Sequence, residues 1–244
     1  MRALKNAVGG GNRAGELGFT LAEVLITLGI IGIVAALTIP QLISNYQKKV
    51  VPIRLKKMYN TLWNAIYMAE EENGPTDNWT FSDDDEAREF YKTQIKSRMK
   101  CVDRKVNRSH YFKDMNCSLP DGSYIVLSNM RSYGLLEVIF YPLGDEKSLS
   151  YAYGNPKNKH RRGYFSCNIW LAPRKVAGGE LPAKTEVTVM NQDATKVPRE
   201  KLLNGPGPGN DPGQYCKGDS SSAAASCFQL IKRDGWEIKD DYPW

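Results

Sequence analysis

Histidine is almost missing from this chain: His110 and His160 are the only two in 244 residues. Both stand in basic, polar stretches, which leaves no believable Ser-His-Asp triad and no histidine-based zinc site. The five cysteines, Cys101, Cys117, Cys167, Cys216 and Cys227, include no CxxC pair. The GxSxG, HExxH, P-loop and dinucleotide fingerprints are also lacking. These gaps exclude the familiar hydrolase, redox and nucleotide chemistries, so no enzyme, no cofactor and no metal site is expected. The acidic run Ser82-Asp83-Asp84-Asp85-Glu86 has neither the glycine nor the distal glutamate of an EF-hand loop. It reads better as the capped start of a helix than as a calcium site.

Apolar runs of membrane length are scarce as well. There is one, opening at Gly18-Phe19-Thr20-Leu21-Ala22-Glu23 and continuing through Ile39. About 21 residues make roughly 31 Å of helix, enough to cross a bilayer. Glu23 sits one turn inside it, and a carboxylate in hydrocarbon costs about 2.5–3.5 kcal/mol on insertion scales. Such groups are functional more often than accidental. A cut after Gly18 would place a new α-amine on Phe19, one turn from Glu23, and give the acid a cation to meet.

The segment GFTLAEVLITLGIIGIVAALTIP, residues 18–40, resembles the signature of type IV prepilins and type II secretion pseudopilins. The resemblance covers about a tenth of the chain. It implies that Gly18 precedes a cleavage site and that Phe19 becomes the N-methylated first residue. It implies that Glu23 serves processing and filament assembly, and that Pro40 bends the helix. Gly29 and Gly32 become points where the helix can unwind during assembly, or alternatively close-packing points between helices. The expected partners are a prepilin peptidase, other pilin or pseudopilin subunits, an inner-membrane assembly platform and the membrane itself. The precursor is expected as a single-pass inner-membrane protein with a periplasmic head, later moving to a periplasmic pseudopilus or a cell-surface filament. Two plainer readings compete. A cleaved signal peptide would have a shorter apolar run and a small-x-small exit site. A simple anchor that never assembles leaves Glu23 unexplained.

Length then leaves room for a leader at 1–18, a long helix at 19–74 and one head at 75–244. The formal net charge is +6. Arg2, Lys5 and Arg13 against Glu16 favour a cytoplasmic N-terminus. Lys48, Lys49, Arg54, Lys56 and Lys57 follow the apolar run, however, so charge asymmetry alone does not set the orientation. In an oxidising compartment the cysteines form disulfides. Proximity favours Cys101 with Cys117 and Cys216 with Cys227, leaving Cys167, though sequence does not fix connectivity.

The expected fold is α+β and pilin-like: a long N-terminal helix, membrane-spanning in its first half, packed under a head with an antiparallel sheet. Val51, Leu55, Met58, Tyr59, Leu62, Trp63, Ile66 and Tyr67 recur at helical spacing and predict the face that packs under the head. Gly74-Pro75 ends that helix. A second helix is expected from Ser82 or Asp83 to about Met99. Strands are expected at 124–128, 135–141, 164–171 and 186–190, separated by turn residues. A last helix is expected at 220–233, followed by a tail whose Trp236, Tyr242 and Trp244 are apolar enough to dock.

One further reading concerns Lys96, Arg98, Lys100, Arg104, Lys105 and Arg108 with Lys159, Arg161 and Arg162. They could bind DNA, with Tyr111, Phe112 and Tyr164 for stacking. This would make the protein a minor, tip-located pilin binding DNA or a secreted substrate. A solvated basic surface is the favoured alternative.

Overall fold

A computed structural model describes residues 18–102, 115–128, 134–144, 163–176, 179–187, 193–205, 215–218 and 223–244. The first helix, α1, runs Leu21–Asn73. Pro40 and Pro52 lie inside it and remove the donors that would meet the Ala36 and Lys48 carbonyls. It stops at Gly74, whose φ of +78° reverses the chain without a Cβ penalty. The molecule divides into two compact units, Met1–Asn45 and Tyr46–Trp244. The head therefore takes in the later part of α1 as its own core helix.

In the first unit the aliphatic side chains of α1 are exposed, among them Leu21, Leu25, Ile33 and Leu37. This one helix is long and apolar enough to cross a membrane.

In the second unit, α1 buries Val51, Leu55, Met58, Leu62, Ala65, Ile66 and Ala69. Those positions recur every three or four residues and form one side of the main core. Tyr67, placed by the sequence on the same face, is instead mostly exposed, and its ring packs beside Trp63 at 5.7 Å. It falls one step around the helix from Ile66, far enough to leave the buried stripe.

Asp83 caps helix α2 (Asp84–Phe90), its side chain accepting from the Glu86 amide at 2.8 Å. Glu86 answers by accepting from the Ser82 amide at 2.7 Å. Beyond Phe90 the path changes to a π-helical turn at Tyr91–Ile95 and a 3₁₀ turn at Lys96–Met99. The predicted helix to Met99 is thus not a uniform α-helix. Ala87, Tyr91, Ile95 and Met99 are all buried at a strict four-residue spacing. An α-helix would rotate such a row off the core, and the wider π turn keeps it aligned.

The head's sheet contains β1 (Asn116–Ser118), β2 (Tyr124–Ser128), β3 (Leu135–Tyr141), β4 (Phe165–Trp170) and, beyond a small ribbon, β7 (Thr185–Val187). The ribbon is β5 (Arg174–Val176) paired with β6 (Gly179–Leu181). The order is β1-β2-β3-β4-β7, antiparallel throughout. Five strands stand where four were expected, because the polar Asn116-Cys117-Ser118 joins through the register Cys117 to Ile125. The face carrying Ile125, Leu127, Leu136, Val138, Phe140, Phe165 and Ile169 shares the main core with α1. The opposite face is also buried, and it holds a polar row in which Ser128 faces Glu137 and Glu137 faces Asn168.

Helices α3 (Arg199–Asn204) and α4 (Ala223–Arg233) complete the head. The tail folds back after α4 through bonds from Trp236 to the Ile231 carbonyl and from Gly235 to the Lys232 carbonyl. Tyr242 is buried, and Trp236 and Trp244 pack against the main core, as the tail's composition predicts.

Candidate functional site

The predicted processing motif lies at the start of α1. Phe19 is 86 % exposed, and a Cβ built on Gly18 would touch nothing. Thr20 precedes the first helical residue. Its backbone amide and hydroxyl each donate to Glu23 Oε2 at 2.8 Å, while the Glu23 amide donates to Thr20 Oγ1 at 3.2 Å. This is a capping box: two of the helix's orphan donors are satisfied reciprocally. Its signature, Thr-x-x-Glu, was available in the sequence as a helix start, next to the filament reading of the same acid. The capping box supplies a local, structural reason for Glu23. It also holds the carboxylate at the mouth of the helix, on the side where a cut after Gly18 would free an amine. A Cβ on Gly29 or Gly32 would meet nothing within 4 Å beyond the helix's own backbone, and α1 keeps helical backbone through both of them and through Pro40.

The head contains a buried polar clamp that the sequence did not indicate. Glu186 points from the edge strand β7 toward α1 and α4. Its Oε1 accepts from Tyr59 Oη at 2.5 Å and from Lys232 Nζ at 2.6 Å, and its Oε2 accepts from Gln229 Nε2 at 2.9 Å. Lys232 also donates to Tyr59 Oη at 2.8 Å and lies 4.4 Å from the centre of that ring. Gln229 and Lys232, three residues apart, share one face of α4. Burial, reinforced by the Glu186 carboxylate, pushes the Tyr59 hydroxyl far above its ordinary pKa, so it stays a neutral donor. Beneath the clamp, the buried Cys167 thiol is pushed up by desolvation and then by Glu186. Both carboxylate oxygens of Glu186 and the Tyr59 hydroxyl are engaged within this group. The arrangement ties three elements together.

The remaining predicted residues are placed as follows. Cys101 is bonded to Cys117 and Cys216 to Cys227, with Cys167 free. Of the basic cluster, Arg98 pairs with Glu72. Tyr164 is buried and packs 5.9 Å from Tyr141, so it offers no face for base stacking. Arg104, Lys105, Arg108, Tyr111, Phe112, Lys159, Arg161 and Arg162 lie outside the described residues, as do both histidines and the leader charges Arg2, Lys5, Arg13 and Glu16. Among the described residues no group of three or more His, Cys, Asp or Glu could hold a metal ion.

Fold and site together define an α+β protein built on one long N-terminal helix, apolar and exposed in its first part and buried in a head in its second. The chain belongs to a family of unknown function, DUF6613, which matches residues 41–244. That match begins just past Pro40 and takes in the whole head. No curated protein and no solved structure matches the chain significantly.

Proposed function

We propose that this chain is the precursor of a structural filament subunit, a pilin or pseudopilin of a type IV pilus or a type II secretion filament. One observation carries the reading: a membrane-length helix with a single acid in its first turn, four residues past an exposed Gly18-Phe19 bond. A prepilin peptidase cuts that bond and methylates the new Phe19 amine. The mature subunit leaves the inner membrane through its assembly platform and packs its apolar helix against those of its neighbours. Close packing of the exposed aliphatic face against neighbouring helices replaces its contacts with lipid. The neighbour's Phe19 amine neutralises Glu23, which the capping box already holds at the helix mouth. The exposed aliphatic face of α1, and an acid that costs several kcal/mol in hydrocarbon unless it finds a partner, both support this reading.

The test is made in cells that assemble filaments. Replacing Gly18 by leucine blocks processing, and the protein accumulates with Met1 to Gly18 attached. Replacing Glu23 by alanine or leucine leaves cutting detectable but removes the subunit from sheared filaments. Mass spectrometry of the N-terminus and of the filaments reads both. Full incorporation of the Glu23 variants refutes the assembly role, and a wild-type protein that always begins at Met1 refutes the proposal.

A further inference from the structure

Between Glu23 and Glu70, α1 carries five cations, Lys48, Lys49, Arg54, Lys56 and Lys57, and not one acid. Two of them are engaged by the head. Lys57 reaches Asp121 at 3.0 Å, and Arg54 donates to the Pro142 carbonyl at 2.6 Å. Among the described residues, Lys48, Lys49 and Lys56 have no carboxylate within ion-pair distance.

These cations are not scattered. Leu42, Tyr46, Lys49, Ile53 and Lys56 follow one another at spacings of four, three, four and three, which puts them on one stripe of the helix. Every one of them is exposed, Tyr46 at 64 % and Ile53 at 66 %. The stripe alternates apolar and cationic side chains and continues directly from the exposed aliphatic run. Tyr46 and Lys49 stand about 5 and 9 Å of helical rise beyond Ile43. That is roughly the depth of a headgroup layer, where tyrosine rings and snorkelling lysines are enriched.

We propose that the near end of this stripe, Tyr46 and Lys49 with Lys48 beside them, docks on the anionic phospholipid headgroups of the bilayer that α1 crosses. The proposal rests on reading the first part of α1 as a membrane span. Charge complementarity selects the occupant. The unpaired lysines need anions close to the end of the apolar run. The bilayer provides them there, whereas a second copy of α1 has Glu23, about 39 Å before Lys49 along the helix, and then no acid before Glu70. From Lys49 that is about 31 Å along the helix, which demands a large stagger between chains. In the precursor, the lipid contact adds to the hold of the chain on the membrane. Extraction into a filament must break it.

The test reconstitutes the full chain in phosphatidylcholine vesicles carrying a trace of spin-labelled phosphatidylglycerol or spin-labelled phosphatidylcholine. Electron spin resonance then gives the relative association of each lipid with the protein. One lysine at the surface multiplies affinity for an anionic lipid about fivefold. The wild-type chain should therefore prefer phosphatidylglycerol by at least that factor at low salt, less so as salt rises. The variant Lys48→Gln/Lys49→Gln should show a preference near one. Lys49→Glu alone, at an exposed position, should lower it as well. A wild-type preference of one, or one untouched by these substitutions, overturns the proposal. Loss of chain-to-chain cross-linking in the double variant without any lipid preference in the wild type would assign the stripe to a second copy instead. An alkaline wash separates the two levels: a chain that washes off the vesicles refutes the span itself.

Discussion

Replacing Lys232 by methionine takes the cation out of the Tyr59–Glu186–Lys232 clamp while keeping most of the side chain's volume. Removing one partner of a fully sequestered ion pair costs about 3–5 kcal/mol, because the other charge is left uncompensated. Here Lys232 keeps 28 % of its side chain exposed against 8 % for Glu186. Water screens the pair in part, and Tyr59 and Gln229 still donate to the stranded carboxylate. The expected cost falls to about 2 kcal/mol. In a domain of this size, that lowers the melting temperature by roughly 4–8 °C. Thermal unfolding of the oxidised full chain in detergent, followed by near-ultraviolet circular dichroism of its tryptophans, measures it. Glu186→Gln added to Lys232→Met removes the stranded charge, so the double variant should recover about 1 kcal/mol relative to the sum of the singles. Strict additivity, or a Lys232→Met cost below about 0.5 kcal/mol, would refute the claim that the clamp holds α1, β7 and α4 together.

Three further outcomes follow from the geometry. Arg199 donates to Asp234 at 2.7 Å and to Asp241 at 2.8 Å, joining α3 to the tail. Burial raises the Asp234 carboxyl, but Arg199 and Lys239 together outweigh it, and the Arg199 bonds are the first cause of the lowered Asp241. Both folded values lie below the ordinary 3.8, so their contribution is present above that pH and is lost as pH falls through the folded values. Unfolding midpoints between pH 5 and pH 2 should drop more steeply in the wild type than in Arg199→Met, and parallel curves would remove this latch from the account. Opening Cys216–Cys227 by paired serine substitution frees a loop with a sequence separation of 11. It should cost about 3 kcal/mol in urea unfolding, and no change would mean the loop is equally restricted without the bond. Finally, a Cβ on Gly144 would lie 1.8 Å from the Gly122 carbonyl oxygen, whereas one on Gly74 meets nothing within 4 Å. Both residues have positive φ. Gly74→Ala should therefore cost about 1 kcal/mol from the backbone alone, and Gly144→Ala clearly more; equal melting temperatures for the two would contradict the close approach.

Local signals carried well from sequence to structure. The runs 124–128 and 135–141 are strands with the expected bounds, since β-branched and aromatic residues lie between strong turn signals. Gly74-Pro75 and Asp83 mark helix ends where they were expected. The closeness in sequence of Cys101 to Cys117 and of Cys216 to Cys227 matched their pairing, because each bond closes a short loop. What pairing or packing decides was harder to see. β1 has no apolar alternation of its own, and Arg174-Lys175 gives no hint of a ribbon. The clamp unites Tyr59 with Glu186 across 127 residues and Glu186 with Lys232 across 46, a meeting that only the folded topology makes. Tyr67 shows the limit of periodicity: at the margin of an amphipathic stripe, one step of 100° decides between core and solvent.

Both cross-links are short-range, and neither includes a residue of α1. Beyond the peptide link at Gly74, the grip of the head on its helix is therefore non-covalent, made of Leu55, Met58, Leu62 and Ile66 in the core and of polar bonds that include those of Tyr59, Arg54, Lys57 and Glu72. A tensile load applied along α1 would strip the helix from the sheet before it stretched either sulfur bridge. Slack would then let the two re-engage with no thiol chemistry. The cystines preserve the shape of the loops, and the mechanical strength of the attachment is set by how well a greasy stripe and a few polar contacts resist shear.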